Sequence, residues 1–332
     1  MKALSQRGNK CVFFEYDAPW YRTNRDMPDP KFAELVLYSD TEELKQRVAG
    51  RSKETEVMIL GSYVHDGIAI GDWLTKSFAS WKSLFYYDID TPVTLKALEG
   101  GSCEYLSPEL VPRFDAYLSF SGGIALERLQ EKFGAQNAVA FHCSADPDLY
   151  YPEPKEKHLS LGYLGTYSRD RQPPLERLLI EPARRLPSER FQVVGPQYPA
   201  DIQWPENVER SDHLPPHLHR EFYNSQRFTL NVTRADMVEL GHSPSVRLFE
   251  AAACGVPVIS DRWEGIGDYF EPGREILLAD SSDQVIEYLQ EFSEADRVEL
   301  GERARKRFLA EHAPEKRAEQ LENLAASNAV KG

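Results

Sequence analysis

The sequence predicts an α/β fold, parallel sheets with covering helices in two successive domains, on three observations. Short apolar runs alternate with helix-like runs along nearly the whole chain. The alternation restarts after a proline-rich break near residue 150. The run from 243 to 261 spells a capped helix, a tight turn and a buried strand. Strands covered on both faces read as continuous apolar runs, and these runs take that form.

Before the break, residues 11–14, 35–38, 57–60, 84–87, 116–120 and 138–141 read as strands. Residues 42–49, 67–79, 91–98 and 124–133 read as helices, with Asp66, Asp90 and Ser121 near their starts as caps. Residues 1–7 read as the last two turns of a helix closed by Gly8, so a strand and its loop are expected ahead of them. Asp146-Pro147-Asp148-Leu149-Tyr150-Tyr151-Pro152-Glu153-Pro154, with the charged stretch to His158, reads as a linker.

Beyond it, 161–164, 191–194, 228–232, 256–260 and 276–278 read as strands, and 174–185, 244–253 and 282–292 as helices. Residues 294–326 read as one or two amphipathic helices interrupted at Pro314. The expected organisation is a first domain over 1–150, a linker over 151–158, a second domain over 159–293 and terminal helices over 294–332.

Composition narrows the function. The 332 residues carry a net charge of −14, which argues against broad contact with a nucleic-acid backbone or anionic lipid and leaves room for a small anion in a locally basic site. Cys11, Cys103, Cys143 and Cys254 are scattered and sit in or near apolar segments, the usage of reduced core cysteines, and a cytoplasmic setting is expected. No apolar stretch reaches the ~18–20 residues of a transmembrane helix, and no signal-peptide core opens the sequence.

The 243–261 run carries the chemistry. Ser243 reads as an N-cap and Pro244 as the first helical residue, so the amides of Ser245, Val246 and Arg247 are left to face an anion such as a diphosphate. Arg247 adds a fixed charge. Gly255 reads as the residue that closes the helix, before a buried strand ending at Asp261. Glu250 lies beside the apolar stripe of Val246, Phe249 and Ala253, where a carboxylate needs a partner. Spacing alone favours an i,i+3 pair with Arg247 over hydrogen bonds to the vicinal hydroxyls of a ribose.

Four segments resemble bacterial glycosyltransferases of the spore-maturation CgeB type, relatives of the group-one glycosyltransferases. They are Tyr87-Asp88-Ile89-Asp90-Thr91-Pro92, Cys143-Ser144-Ala145-Asp146-Pro147-Asp148-Leu149-Tyr150, Gly162-Tyr163-Leu164-Gly165-Thr166-Tyr167-Ser168 and the 243–261 run. The resemblance implies the GT-B fold, two Rossmann-like domains facing a cleft, with the nucleotide-sugar donor held mainly by the second. It implies that Glu250 binds the donor ribose and that the Ser243, Ser245, Val246 and Arg247 region cradles the diphosphate. Gly165 and Thr166 would approach a phosphate by backbone, with Arg171 or Arg169 and Arg234 supplying charge. Many group-one enzymes carry two glutamates eight positions apart; here the earlier position is His242, a residue able to donate to a phosphate or a sugar hydroxyl.

Asp88 and Asp90 form a D-x-D pair. Because Asp90 can cap the next helix and GT-B enzymes typically need no metal, the expectation is no metal site, with either carboxylate contacting an acceptor or serving as general base. His213, His217 and His219 flank Pro215-Pro216, which argues for a loop with incidental histidines. The loop around Trp263 reads as reaching the sugar or packing between domains, and the segment from Trp20 to Arg25 as a possible acceptor contact. The expected function is transfer of a sugar from a nucleoside diphosphate, without a cofactor, to an acceptor the sequence does not name. A non-catalytic nucleotide- or sugar-binding protein is the alternative, and a sugar-nucleotide epimerase a weaker one.

Overall fold

The apolar runs of the first half become parallel strands. The computed structural model describes residues 1–19, 22, 25, 27–77 and 83–329. Its first unit comprises Met1–His142 with Pro314–Gly332, and its second Cys143–Ala313. The first unit runs α1 (Lys2–Gln6), β1 (Val12–Tyr16), β2 (Glu34–Tyr38), α2 (Thr41–Ala49), β3 (Val57–Gly61), α3 (Gly67–Ser77), β4 (Ser83–Asp88), α4 (Thr91–Glu99), β5 (Ala116–Ser119), α5 (Ile124–Glu131) and β6 (Ala138–Ala140).

The strands form two parallel sheets, β1-β2 and β3-β4-β5-β6, rather than the single sheet the alternation suggests. Asp40 caps α2 by accepting from the Glu43 amide at 2.8 Å. Of the caps expected by residue type, Asp90 stands at the N-cap of α4 without a side-chain cap bond, and Gly123 with φ +54° takes the place expected of Ser121. Asp66 has a positive φ of 58°, which takes it out of the extended backbone that N-caps typically adopt.

The second unit runs β7 (Leu159–Leu164), α6 (Gln172–Leu175) continuing through a π turn (Glu176–Ile180) into α7 (Glu181–Arg185), β8 (Phe191–Val194), β9 (Val208–Ser211), α8 (Pro216–Asn224) and β10 (Gln226–Asn231). There follow α9 (Ala235–Leu240), α10 (Val246–Ala253), β11 (Val258–Ser260), β12 (Leu277–Leu278), α11 (Ser282–Glu291) and α12 (Glu294–Arg307). Its six strands are parallel in the order β12-β11-β10-β7-β8-β9. One apolar cluster gathers Leu248, Phe249, Phe270 and Phe308; another gathers Leu178, Ile180, Phe228 and Val285.

Three elements differ from the sequence reading. Pro215-Pro216 does not keep its neighbourhood irregular: Pro216 occupies the first helical position of α8, where its missing N–H is no loss, and His217 and His219 lie on that helix. The terminal helices break at Pro314, as the sequence reading expects, but the two parts belong to different units. A second π turn (Phe308–His312) extends α12, and at Pro314 the chain passes into α13 (Pro314–Ala329), whose Leu321 packs on Phe85 and Leu118 of the first unit. The division between units falls after His142, ahead of the 151–158 stretch.

Candidate functional site

The order of the second sheet fixes where a ligand belongs. The chain moves outward from β7 to β8 and β9, returns to pair β10 against β7, and continues to β11 and β12. The crevice beyond the carboxyl ends of β7 and β10 is therefore the topological switch point, the standard binding place in open α/β sheets. The loop after β7, the loop after β10 and the start of α10 all meet there.

The start of α10 is two residues later than the sequence suggests. Ser245, not Ser243, is the N-cap (φ −80°, ψ 150°). Ser243 is buried and donates its hydroxyl to the Gly241 carbonyl at 2.8 Å, because Gly241 and His242 both take positive φ and turn the chain back on itself. The Ser245 hydroxyl donates to Asn231 Oδ1 at 2.7 Å, which ties the helix to the end of β10. The Leu248 amide bonds Ser245, so the opening amides are those of Val246 and Arg247, and Val246 is exposed. The helix closes as expected, in a Schellman arrangement: Gly255 at φ +65° donates to Ala252, and Val256 to Ala251.

Arg247 is a strut rather than a projecting charge. It is 8% exposed. Its Nε donates to the Leu164 carbonyl at 2.8 Å, Nη2 reaches the same carbonyl, and Nη1 donates to Asn231 Oδ1 at 2.8 Å. The guanidinium lies over the Tyr163 ring, 4.8 Å from its centroid. Arg247 thus joins the ends of β7 and β10 to α10. Beside it Asp261 accepts from the Thr233 amide and hydroxyl at 3.0 and 2.8 Å; burial raises its carboxyl while these donors and Arg247 pull the other way.

With Arg247 occupied, Glu250 takes a different partner from the one spacing favoured. Tyr223, fully buried, donates its hydroxyl to Glu250 Oε2 at 2.7 Å. Burial, then the Glu250 charge, drives the Tyr223 hydroxyl far up, and the same two causes raise Tyr150. Both phenols therefore stay protonated, and Tyr223 is the donor that orients the carboxylate. Glu250 is half-buried, which leaves its outer edge to a ligand.

The loop after β7 is close-packed. A Cβ on Gly165 would lie 2.6 Å from the Tyr163 hydroxyl and 3.0 Å from Arg247 Nη2, so only glycine fits. Thr166 is exposed; Arg171 braces the loop, donating to the Thr166 carbonyl at 2.6 Å and the Ser168 hydroxyl at 2.9 Å. Arg169 is exposed on the same loop. Arg234, exposed, is the N-cap of α9, and the Ala235 amide donates to Asp170 at 2.8 Å, linking the two loops. Tyr198, which sequence reasoning passed over, donates to the Gly165 carbonyl at 3.1 Å and carries the Arg210 guanidinium 4.2 Å above its ring. Tyr223 and Asn231 escaped notice as well, with only their position at a helix or strand end as a signal; Asp261 was read as a strand end, without its bonds to Thr233.

His242 sits at φ +45°, a sparse region for a residue with a Cβ. Its Nδ1 is 2.9 Å from Asp268 Oδ2, its amide donates to the Glu264 carbonyl at 2.6 Å, and its carbonyl accepts from the Tyr269 hydroxyl at 2.9 Å. Trp263 is buried against Tyr269, with its indole N–H unpartnered.

In the first unit the D-x-D pair divides. Asp88 is fully buried: Tyr117 donates to Oδ2 at 2.6 Å, and Thr94 and the Asp90 amide donate to Oδ1 at 2.9 and 3.2 Å. Burial raises its carboxyl against these bonds. Asp90 accepts from the Tyr63 hydroxyl at 3.1 Å and is the member nearer the surface. Of the histidine trio, His213 and His217 are exposed, and His219 Nε2 lies 3.1 Å from the Leu214 carbonyl. Among the described residues no group of three His, Cys, Asp or Glu is placed to hold a metal. Most of the segment from Trp20 to Arg25 lies outside the described residues.

Comparison with known proteins bears on the fold. Residues 171–323 match the Glyco_trans_1_2 family model, described as glycosyl transferase-like. Over its whole length the chain superposes on sucrose-phosphate synthase from Thermosynechococcus elongatus, with a TM-score of 0.68, 14% identity and 92% of that chain covered. It superposes over 96% of its length on Anabaena HepE in complex with UDP-glucose (TM-score 0.64, 14% identity, 99% of that chain). An Escherichia coli trehalose-6-phosphate structure bound with UDP-2-fluoro glucose matches 97% of this chain and 94% of its own at a TM-score of 0.65 and 10% identity. No curated protein sequence matches. The fold is GT-B, and the matched stretch covers most of the second unit and the start of α13. No helix among the described residues is long and apolar enough to cross a membrane.

Proposed function

We propose that this chain is a glycosyltransferase that takes a sugar from a nucleoside-diphosphate donor bound at the β7–β10 switch point of the second unit. The observation that carries the reading is the convergence of the Val246 and Arg247 amides, the glycine-spaced Gly165-Thr166 loop and the tyrosine-held Glu250 at that one place. Glu250 accepts from the ribose hydroxyls. The α10 amides and the Arg171 and Arg234 loops face the diphosphate, and His242 faces the sugar end. The leaving diphosphate is stabilised by donors already fixed in place, which need no reorganisation as charge develops. UDP-glucose in the HepE structure and UDP-2-fluoro glucose in the E. coli structure make uridine nucleotides the first donors to try.

We assign the protein to the CgeB type, acting without a metal or cofactor in the cytoplasm. Metal independence is supported by Asp88, whose oxygens are taken up by Tyr117, Thr94 and the Asp90 amide and are not splayed toward a cation. Asp90 is then the carboxylate left to meet an acceptor hydroxyl. The burial of Asp88 also favours a second reading, nucleotide-sugar binding without transfer. Calorimetry with nucleoside diphosphates tests the site: absence of binding by all of them refutes both readings, and binding with no donor consumed across an acceptor panel selects the second. Activity abolished by EDTA would refute metal independence. A changed sugar without acceptor would indicate an epimerase.

A further inference from the structure

We propose that Asp268 is a positioning residue that holds His242 as the Nδ1–H tautomer, so that Nε2 accepts a hydrogen bond from a hydroxyl of the donor's sugar. The proposal rests on the donor site described above and adds the sense of the contact.

The chain places one imidazole with several independent devices. Positive φ at His242 follows Gly241, itself at φ +70°, and a β-carbon-bearing residue in this region is strained unless its surroundings hold it. Backbone bonds to Glu264 and from Tyr269 hold the strained residue on both sides. The ring lies against Gly265, φ +87°, where an added Cβ would collide with Nδ1, Cγ and Cε1 of the imidazole. The Asp268 carboxylate then meets Nδ1 at 2.9 Å. The His242 side chain stays 25% exposed at the mouth of the switch point.

The chemistry follows from donors and acceptors. An ionised carboxylate only accepts, so Nδ1 carries the proton. A neutral imidazole has a single N–H, and Nε2 is then an acceptor. Phosphate oxygens are acceptors too and make poor partners for it, whereas a sugar hydroxyl donates readily. The dyad therefore recognises sugar rather than diphosphate. In Asp268→Asn the amide can donate to Nδ1, which moves the proton to Nε2 and reverses the contact.

Two measurements test this. Long-range proton–nitrogen spectra of the ligand-free protein at pH 8, with the His242 signals assigned by their loss in His242→Ala, are expected to show Nδ1 protonated and Nε2 bare. Asp268→Asn should move the proton toward Nε2, and Asp268→Glu should restore part of the original pattern. Calorimetry with UDP, GDP and ADP and with their glucose conjugates is expected to show unchanged nucleotide binding in Asp268→Asn and about tenfold weaker binding of the sugar conjugate. A wild-type His242 protonated on Nε2 overturns the proposal, as does an equal loss for nucleotide and conjugate, or no loss for either. If no nucleotide binds the wild type, the donor site itself falls and the sugar contact with it.

Discussion

Replacing Arg247 separates a structural strut from a phosphate ligand. In Arg247→Ala the Leu164 carbonyl loses a charge-assisted donor, a loss of about 1.5–3 kcal/mol. The desolvated cation–π contact with Tyr163 accounts for about 2 kcal/mol more. Asn231 Oδ1 keeps the Ser245 hydroxyl, so that acceptor adds little. The expected loss is about 4 kcal/mol in the absence of any ligand, roughly 1.3 M in urea midpoint for a slope of about 3 kcal/mol/M. Arg247→Lys should lose about half, since an ammonium cannot fork between Leu164 and Asn231. Urea unfolding monitored by hydrogen exchange of β7 and β10 reads the second unit directly. A ligand-free loss below about 1 kcal/mol, with UDP affinity abolished, would refute the strut, because a solvated ligand arginine leaves stability nearly unchanged.

The remaining predictions use the same contacts. Glu250→Ala should lower nucleotide affinity by at least about tenfold and stability by about 1–3 kcal/mol, because the buried Tyr223 hydroxyl loses its acceptor; Glu250→Gln should keep most of the stability, as calorimetry and melting will show. Gly165→Ala should destabilise by about 1–3 kcal/mol through the 2.6 Å approach to the Tyr163 hydroxyl. That hydroxyl is buried without a partner, so Tyr163→Phe should cost little and should recover part, not all, of the Gly165→Ala loss, since the ring carbon Cζ stays 2.8 Å from the added Cβ; additive losses would contradict this. Burial raises the Asp88 carboxyl, so the native state keeps this proton to higher pH than the unfolded chain does. Its contribution is full below about pH 4 and is lost as pH rises through the native value. Asp88→Asn should therefore gain on the wild type between pH 4 and pH 7 in urea midpoint, and a constant difference would refute the sign.

How much of this was legible depends on the distance over which each feature is decided. Most strands of the three sheets were readable because an apolar run such as Phe191–Val194 is buried wherever it pairs. β9 was not, since Val208–Ser211 holds two charged residues and lies at the sheet edge, where one side need not be buried. Ser243 and Ser245 are equally good caps by residue type, and the choice between them was made by the positive φ of Gly241 and His242. Local turns were readable from residue type, as at Gly165 and Gly255. Site roles were not, because each is settled by a partner far along the chain. Arg247 finds its acceptor at Leu164, Glu250 its donor at Tyr223, and His242 its carboxylate at Asp268. A helix-local rule paired Arg247 with Glu250 as i,i+3 neighbours. The tertiary structure gave each a partner of higher value: a charge-assisted bond to the part-buried Leu164 carbonyl outweighs a surface ion pair, which contributes only tenths of a kcal/mol, about 0.2–0.5. That inequality sends the arginine inward and leaves the carboxylate half-buried and held by tyrosine.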